Sequence, residues 1–301
     1  MLTPSTARRS ERVASKIAGN AAFDHEVANA KYTLELAGAE REVPVYEGAR
    51  RPLLKDHETA EYVHGAGGLA GIYPDPDTPS ADEGAVDFLL DTARENPGEI
   101  TLLCIGPLTN FALACSREPQ LNDLLDEVWV MGGAFGAPGN VTPAAEYNFW
   151  VDPDAAKIVL RDLDVSVVDW GVCTEGSVLG GSEIDRIASA REESTYADFF
   201  ARVTEPAREF TEREQGIEGV TQPDSLTVAC CLDPEIVCEA STYHVDVDER
   251  EGLTRGYSVA DVDGITDGDA RTRVTEEVDE ERFQQVFTGA LVAGDPERSI
   301  R

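Results

Sequence analysis

The segment from Glu127 to Gly171, EVWVMGGAFGAPGNVTPAAEYNFWVDPDAAKIVLRDLDVSVVDWG, predicts the fold of the chain. It begins and ends with the strand-like runs EVWVMGG and VSVVDWG, which are rich in β-branched residues. The helical stretch DPDAAKIVLRDL separates these two runs. A strand, a turn, a helix and a second strand in this order are typical of a parallel sheet covered by helices.

The same rhythm occurs upstream, from about residue 24 onward. Helices are predicted for DHEVANAKYTLELAG, AVDFLLDTARENPG and PLTNFALACSREP, the last with Pro107 at its start. REVPVYEG and ITLLCIG are predicted strands. The sequence therefore predicts an α/β fold with an open, mostly parallel sheet and helices on both faces.

The remaining residues are predicted to complete a single domain, 1–301. Residues 183–222 are mostly helical and highly charged, which is typical of the rim of a pocket. QPDSLTVACCLDP is a predicted apolar helix, and the tail alternates the short strands TYHVDVD and TRGYSVADV before the amphipathic helix EERFQQVFTGALV. We find no internal repeat and no long linker in the sequence.

The charge of the chain excludes several classes of partner. The 301 residues include 58 acidic and 25 basic residues, for a formal net charge of −33. Such a chain repels the phosphates of nucleic acids and anionic membranes, so neither is an expected partner. An acidic surface with few lysines resembles that of halophilic proteins, in which high salt screens the self-repulsion. Most carboxylates are therefore expected to be solvated.

The cysteines and the N-terminal residues indicate the cellular compartment of the protein. The six cysteines show no CxxC spacing, and several lie in apolar runs such as TLLCIG, as in a reducing compartment. We find no run of eighteen apolar residues and no apolar segment typical of a secretory signal. The sequence therefore predicts a soluble cytoplasmic protein.

The loop after Met131 contains an unusual group of polar residues. Asn140, Glu146 and Asn148 lie within the nine residues NVTPAAEYN. Ligands bind such sheets at the carboxyl ends of the strands, where this loop is expected. Each residue also has a structural alternative, since asparagines satisfy backbone groups in turns and the glutamate could be one more surface acid. The grouping of these three side chains in one loop favours a role in ligand binding.

Five segments occur in order from residue 15 to about residue 290: SKIAGN, VHGAGGLAG, LLCIGPLTN, MGGAFGAPGNVTPAAEYNFWVDPDAAKIV and PDSLTVA. This ordered set resembles the inosine-uridine-preferring nucleoside hydrolases, or ribonucleoside N-ribohydrolases. The resemblance implies hydrolysis of the N-glycosidic bond of ribonucleosides to ribose and a free purine or pyrimidine base, as in nucleoside salvage. The implied transition state resembles a ribosyl cation.

The resemblance also implies a calcium ion at the strand ends. Asp224 and the main-chain carbonyl of Ile105 would bind it, since calcium prefers oxygen ligands. His64 would lie near the base and is a candidate for protonating the leaving group. The implied contacts to the ribose come from Asn20, Asn140, Glu146, Asn148 and Asp224.

The chain departs from the family pattern in two places. Pro223 stands where many members have a histidine that protonates a purine leaving group. The family motif DTDPGxDDA, which ends a first strand and supplies the general base and most of the calcium charge, does not occur in these residues. We therefore expect the first strand of the family sheet to be missing, a backbone edge to be exposed, and the calcium site to be incomplete.

Two other functions are alternatives to hydrolysis. A non-catalytic relative that binds ribosides or a partner, having lost the catalytic aspartates, is the alternative. Dinucleotide binding is disfavoured because GGLAG at residues 67–71 lacks the GxGxxG spacing. The preferred base is left open, and Tyr196, Phe199 or Phe200 could stack on it or pack in the core. The exposed edge predicts a homo-oligomer, either a dimer or a tetramer.

Overall fold

The computed structural model describes residues 14–16 and 18–293. The strands are β1 (Ala14–Lys16), β2 (Val45–Glu47), β3 (Thr101–Cys104), β4 (Glu127–Met131), β5 (Val165–Val168), β6 (Val178–Leu179), β7 (Val220–Thr221), β8 (Val237–Tyr243), β9 (Val245–Val247), β10 (Ser258–Ala260) and β11 (Thr272–Val278). The helices are α1 (Phe23–Leu36), α2 (Glu61–His64), α3 (Ala85–Glu95), α4 (Thr109–Arg117), α5 (Leu121–Leu124), α6 (Tyr147–Val151), α7 (Pro153–Asp162), α8 (Trp170–Gly176), α9 (Gly181–Ser189), α10 (Thr195–Val203), α11 (Glu205–Phe210), α12 (Pro223–Leu232) and α13 (Glu280–Ala293).

The central sheet has the strand order β3-β4-β5-β11-β8. Its first four strands are parallel, and β8 pairs antiparallel with β11. Three pairs of short strands form separate ladders, which are β1 with β2 in parallel, and β6 with β7 and β9 with β10 antiparallel. The predicted α/β class with a mostly parallel sheet is confirmed.

Strand β4 shows how both faces of the sheet are covered. Val128 and Val130 are buried in a cluster with residues of α3, α4 and α7. Trp129 and Met131 point to the other face and are buried with residues of α8, α12 and α13. This alternation follows from the two-residue period of a strand, and it makes the strand apolar throughout.

Two predicted boundaries are wrong by a few residues. The helix expected from Pro107 begins at Thr109, because Leu108 (φ −88°, ψ 12°) is still outside helical geometry. The run TYHVDVD is two strands, not one, since β8 ends at Tyr243 and β9 begins two residues later. The chain changes partner there, because β8 pairs with β11 whereas β9 pairs with β10.

Strand β3 lies at the edge of the central sheet. Among the described residues it has one hydrogen-bonded neighbour, β4. Leu103 and Ile105, on and just after this strand, are 38% and 41% exposed. Unpaired backbone groups beside exposed apolar side chains make this edge available to another strand.

The segment that contains Asn20 is tied to distant parts of the chain through its main chain. The carbonyl of Gly19 accepts hydrogen bonds from the Tyr147 hydroxyl and is 2.7 Å from Nε2 of His57. The Asn20 carbonyl accepts from the amide of Ala60 at 2.8 Å. These bonds bring the segments around residues 20, 60 and 147 together.

The turn after α2 depends on glycine. Gly65 has φ 77°, and a Cβ atom there would lie 2.8 Å from the Cα of Ala70. The carbonyl of Gly67 accepts a hydrogen bond from Nδ2 of the buried Asn29 on α1 at 2.8 Å. This closed turn therefore holds His64, the last residue of α2, in one position. In the described part of the chain, no helix is long and apolar enough to span a membrane.

We expect Gly65→Ala to lower the free energy of unfolding by about 3 kcal/mol or more, because a strained left-handed backbone and a steric collision add together. The matched control is Gly136→Ala, whose φ is 79° but whose added Cβ meets no atom within 4 Å. That control has the strained backbone but no steric collision, so we expect it to lower the free energy of unfolding by about 1 kcal/mol. Urea unfolding in concentrated KCl measures both, and equal losses would contradict the role given to Ala70.

Candidate active site

The buried carboxylate of Glu146 organises the loop between β4 and α6. This residue is the N-cap of α6 and is 2% exposed. Its Oε1 accepts from the amide of Asn148 at 2.8 Å, and its Oε2 accepts from the amides of Gly133 at 2.9 Å and Phe149 at 3.3 Å. The side chain therefore joins the end of β4 to the first turn of α6, and it is not a surface acid.

The two asparagines of this loop also bind backbone groups. Asn140 Oδ1 accepts from the amide of Tyr147 at 2.9 Å. Asn148 Nδ2 donates to the carbonyl of Met131 at 3.1 Å and lies 3.3 Å from its sulfur. One polar atom of each asparagine side chain therefore satisfies a backbone group, as expected for a structural role. These bonds do not use Asn140 Nδ2 or Asn148 Oδ1, so a contact to ribose stays a prediction for those atoms.

Asp224 lies close enough to Glu146 to affect its ionisation. It is half-buried in the first turn of α12, directly after Pro223, and α12 packs on β4 and β5. The pKa of Glu146 is raised to about 7, mainly by burial and to a smaller extent by the Asp224 charge, against the opposing effect of three backbone amides. Two carboxylates thus share one region, and Glu146 changes charge near neutral pH.

His64 is half-buried, and burial lowers the pKa of its imidazole, against the opposing effect of Glu26. The ring is therefore mainly neutral at pH 7. A neutral imidazole still donates one hydrogen bond, but it is a poor source of a full proton.

Tyr147 links the acidic groups on this side of the cluster. Its single O–H lies within hydrogen-bond distance of two carbonyls, that of Gly19 at 2.7 Å and that of Glu58 at 2.8 Å, and is shared between them. Burial raises the pKa of this phenol strongly, and Glu26, Tyr62, Glu146 and Glu58 raise it further. The Tyr147 hydroxyl therefore ties the loop of Glu146 to the segment that precedes α2.

Glu26 belongs to this cluster, and the sequence did not identify it. It lies on α1, where its Oε1 accepts from the amide of Ala21 at 2.8 Å, and its charge acts on His64 and Tyr147. It lies six positions after Asn20, and this proximity is the sequence signal that points to it. Helix α1 packs against the turn at residues 66–68, which follows His64 closely in the chain.

Ile105 follows the last residue of β3, at the same carboxyl edge of the sheet as the loop after Met131. Side-chain bonds or charge effects connect Asn140, Asn148 and Asp224 with the segment Glu146–Tyr147. Asn20 reaches this region only through main-chain bonds of its segment, and His64 is linked to it only through the charge of Glu26. These bonds and charge effects do not include Ile105.

The described residues do not fit a calcium site. Among them, no group of three or more His, Cys, Asp or Glu side chains could hold a metal ion. Asp224 and the Ile105 carbonyl supply at most three oxygens, whereas calcium takes six to eight. The carboxylate of Glu146 is occupied by three amides. The described residues alone therefore do not complete a calcium site.

Comparison with known proteins identifies the family. Residues 13–285 match the family described as inosine-uridine preferring nucleoside hydrolase. The chain belongs to this family. Its predicted membership is therefore confirmed over nearly the whole sequence.

Individual relatives agree with this assignment. The chain is 32% identical over 281 residues to the pyrimidine-specific ribonucleoside hydrolase RihA of Citrobacter koseri, covering 91% of this chain and 87% of the relative. A solved plant nucleoside hydrolase, the PpNRh1 enzyme, matches with TM-score 0.85 and 31% identity over 93% of this chain and 89% of its own. A purine-preferring ribonucleoside hydrolase from Gardnerella vaginalis matches with TM-score 0.84 and 28% identity, again over 93% and 89%.

The pKa of Glu146 predicts a pH-dependent stability. The folded-state pKa of about 7 exceeds the ordinary value of 4.5, so the folded protein holds an extra proton between these values. Stability from this group is therefore present at low pH and is lost as pH rises through the window. We expect the wild type to lose about 3 kcal/mol of unfolding free energy relative to Glu146→Gln between about pH 5 and about pH 8.

Urea unfolding of both proteins at each pH in concentrated KCl measures this difference. Glu95→Gln, which removes an exposed acid at the end of α3, is the control and should track the wild type. Parallel pH curves for the wild type and Glu146→Gln would contradict the raised pKa.

Proposed function

We propose that this nucleoside hydrolase relative cleaves the N-glycosidic bond of ribonucleosides, releasing ribose and a free base for salvage. The observation that carries the proposal is the buried Glu146 carboxylate beside Asp224, at the carboxyl edge of a sheet whose chain matches the family over residues 13–285. In the reaction, water adds to C1′ of the ribose as the C1′–N bond breaks. The electron pair of that bond leaves with the base, which takes up a proton.

The ionised form of Glu146 stabilises the positive charge that develops on the ribosyl group. A carboxylate that is desolvated and held by three amides needs little rearrangement when that charge appears. Asp224 adds a second negative charge close to it. We assign hydrogen bonds to the ribose hydroxyls to these remaining polar groups: Asn20, Asn140, Asn148 and Asp224.

For His64 we propose a hydrogen bond to the leaving base rather than delivery of a full proton. Its lowered pKa keeps it mainly neutral at pH 7, and Pro223 offers no second imidazole. The base then receives its proton from solvent. Calcium dependence is the family expectation that the described residues do not meet, so metal and chelator are separate arms of the assay.

We further propose a cytoplasmic, halophilic, homo-oligomeric enzyme of one domain, with residues 183–222 at the pocket rim. All six cysteines are free, and burial raises the pKa of four of them strongly, which suits a reducing compartment. The net charge of −33 suits high salt. The open edge of β3 supports association. The relatives above are named for different bases, so both purine and pyrimidine ribosides are candidate substrates.

The first experiment measures reducing sugar released from inosine and from uridine by the complete chain in concentrated KCl. Calcium is added in one arm and a chelator in the other. We expect release of ribose together with free base. Binding of a riboside without release is the result for a non-catalytic relative, and absence of both binding and release would refute the proposal.

A second experiment tests the two carboxylates. We expect Glu146→Gln and Asp224→Asn each to lower kcat/KM at least about 100-fold, because each removes negative charge from beside the developing cation. Glu95→Gln, an exposed acid on α3, should retain wild-type activity. Thermal unfolding checks that all variants are folded, and full activity of Glu146→Gln would remove that residue from the mechanism.

A further inference from the structure

Arg255 is a buried arginine in the turn between β9 and β10. Its Nε donates to the carbonyl of Trp150 at 2.9 Å, and its Nη2 donates to the carbonyl of Val151 at 3.3 Å. The guanidinium carbon lies 4.3 Å from the centroid of the Trp150 ring, which is a cation–π contact. A Cβ atom on the next residue, Gly256, would lie 2.5 Å from the Cα of Trp150, so the turn touches the helix backbone. The last two residues of α6 are therefore held by a distant part of the chain.

Helix α6 is too short to be stable by its own hydrogen bonds. It has five residues, Tyr147–Val151, and the terminal groups of so short a helix find few partners within it. The Glu146 carboxylate binds amides at the N-terminal end of α6. Arg255 binds carbonyls at the C-terminal end. Both caps act on the same short helix, so loosening one end also weakens the other.

The hairpin of β9 and β10 also binds the strand end that supports Glu146. Ser258, on β10, is buried, and its hydroxyl accepts from the amide of Ala134 at 2.9 Å. Ala134 directly follows Gly133, whose amide donates to the Glu146 carboxylate. The hairpin therefore holds the end of β4 and the end of α6, which are the two elements that supply amides to Glu146.

Two acidic side chains offset the positive charge of Arg255. Its Nη1 lies 3.6 Å from a carboxylate oxygen of Glu58 and 3.6 Å from one of Glu251. A buried guanidinium without such partners is unfavourable, and its charge would oppose the ribosyl cation. The main-chain carbonyl of Glu58 also lies 2.8 Å from the Tyr147 hydroxyl. Arg255 therefore joins α6 to the segment before α2, with its charge offset on the side away from the helix carbonyls.

We propose that Arg255 is a positioning residue of the candidate active site, which keeps Glu146 and Asn148 in place by holding the C-terminal end of α6. The proposal rests on the proposed function and adds to it a residue that acts through the helix rather than on the substrate. A small displacement of the Glu146 carboxylate weakens its effect on the developing cation. Several other groups bind the ribose, so loss of Arg255 should lower kcat more than it raises KM.

Hydrolysis of inosine and uridine by the complete chain in concentrated KCl, combined with hydrogen exchange of the α6 amides, tests this proposal. We expect Arg255→Ala to lower kcat about 10- to 100-fold and to change KM by less than about threefold. The amides of residues 147–151 should exchange at least about 10-fold faster, because the helix opens more often without its C-terminal partner. Arg255→Lys keeps the charge but cannot donate from a planar fork, so kcat should fall about 3- to 10-fold.

Arg282→Ala is the matched control, because Arg282 on α13 also makes paired hydrogen bonds, to the two carboxylate oxygens of Asp233 at 2.7 and 3.0 Å. It should keep the kcat and the α6 exchange of the wild type. Wild-type kcat or wild-type α6 exchange in Arg255→Ala would overturn the proposal, and so would an equal loss of kcat in Arg282→Ala, which indicates a general effect of lower stability.

Two further outcomes are distinguishable from these. If Arg255→Ala does not fold, wild-type kcat in Arg255→Lys overturns the proposal, and the expected loss supports it. If the wild type itself releases no ribose from either nucleoside, the proposed function is wrong. Faster α6 exchange in Arg255→Ala then shows a structural role only, and the positioning role is overturned as well.

Discussion

The cap of α6 by a buried carboxylate is the interaction on which the candidate site depends. Glu146 receives an amide from the end of β4, through Gly133, and two amides from the helix that it caps. The aromatic ring of Phe149 lies against the same strand end, where Cβ atoms at Gly132 and Gly133 would come within 2.4 and 2.9 Å of it. Strand end, glycines, ring and carboxylate therefore form one closely packed unit. Burying the charge is unfavourable, and the three amides offset part of that cost.

A buried carboxylate also caps the helix that follows the neighbouring strand, β5. Asp169 follows β5, caps α8 by accepting from the amide of Val172 at 3.0 Å, and accepts from the amide of Phe135 at 2.6 Å. Burial raises its pKa as well. Two neighbouring strand ends thus each hold a desolvated carboxylate, and Asp224 adds a third acid that acts on Glu146. An edge of this composition stabilises a positive charge better than a negative one, which is the requirement of a ribosyl cation.

The strands and helices of the sheet were predictable, because buried parallel strands are continuous β-branched runs and α7 shows a clear helical period. Membership of the family was predictable from ordered motifs. The hydrogen-bond partners of individual side-chain atoms were not predictable. Whether Asn140 binds a backbone amide or a ligand depends on the three-dimensional path of the loop. Glu26 was missed for a similar reason. Its charge acts on His64 and Tyr147 from a separate helix, and nothing in its own stretch of sequence indicates this.

Burial distinguishes candidate functional carboxylates from the many solvated ones. With 58 acidic residues in the chain, residue type alone cannot distinguish a functional carboxylate from a solvated one. In the described part of the chain, three acidic residues are buried, namely Glu146, Asp152 and Asp169, and all three cap helices. Asp152 is committed to the packing of α4 and α7, because it accepts from Thr109 and from the amides of Leu53 and Ala155. The Asp224 charge raises the pKa of Glu146, whereas Asp154 acts on Asp152 and Glu175 acts on Asp169. Glu146 is therefore both the N-cap of α6 and a charged group of the candidate site. Its burial lowers the stability of the ionised form and, by the same desolvation, strengthens its proposed effect on the ribosyl cation.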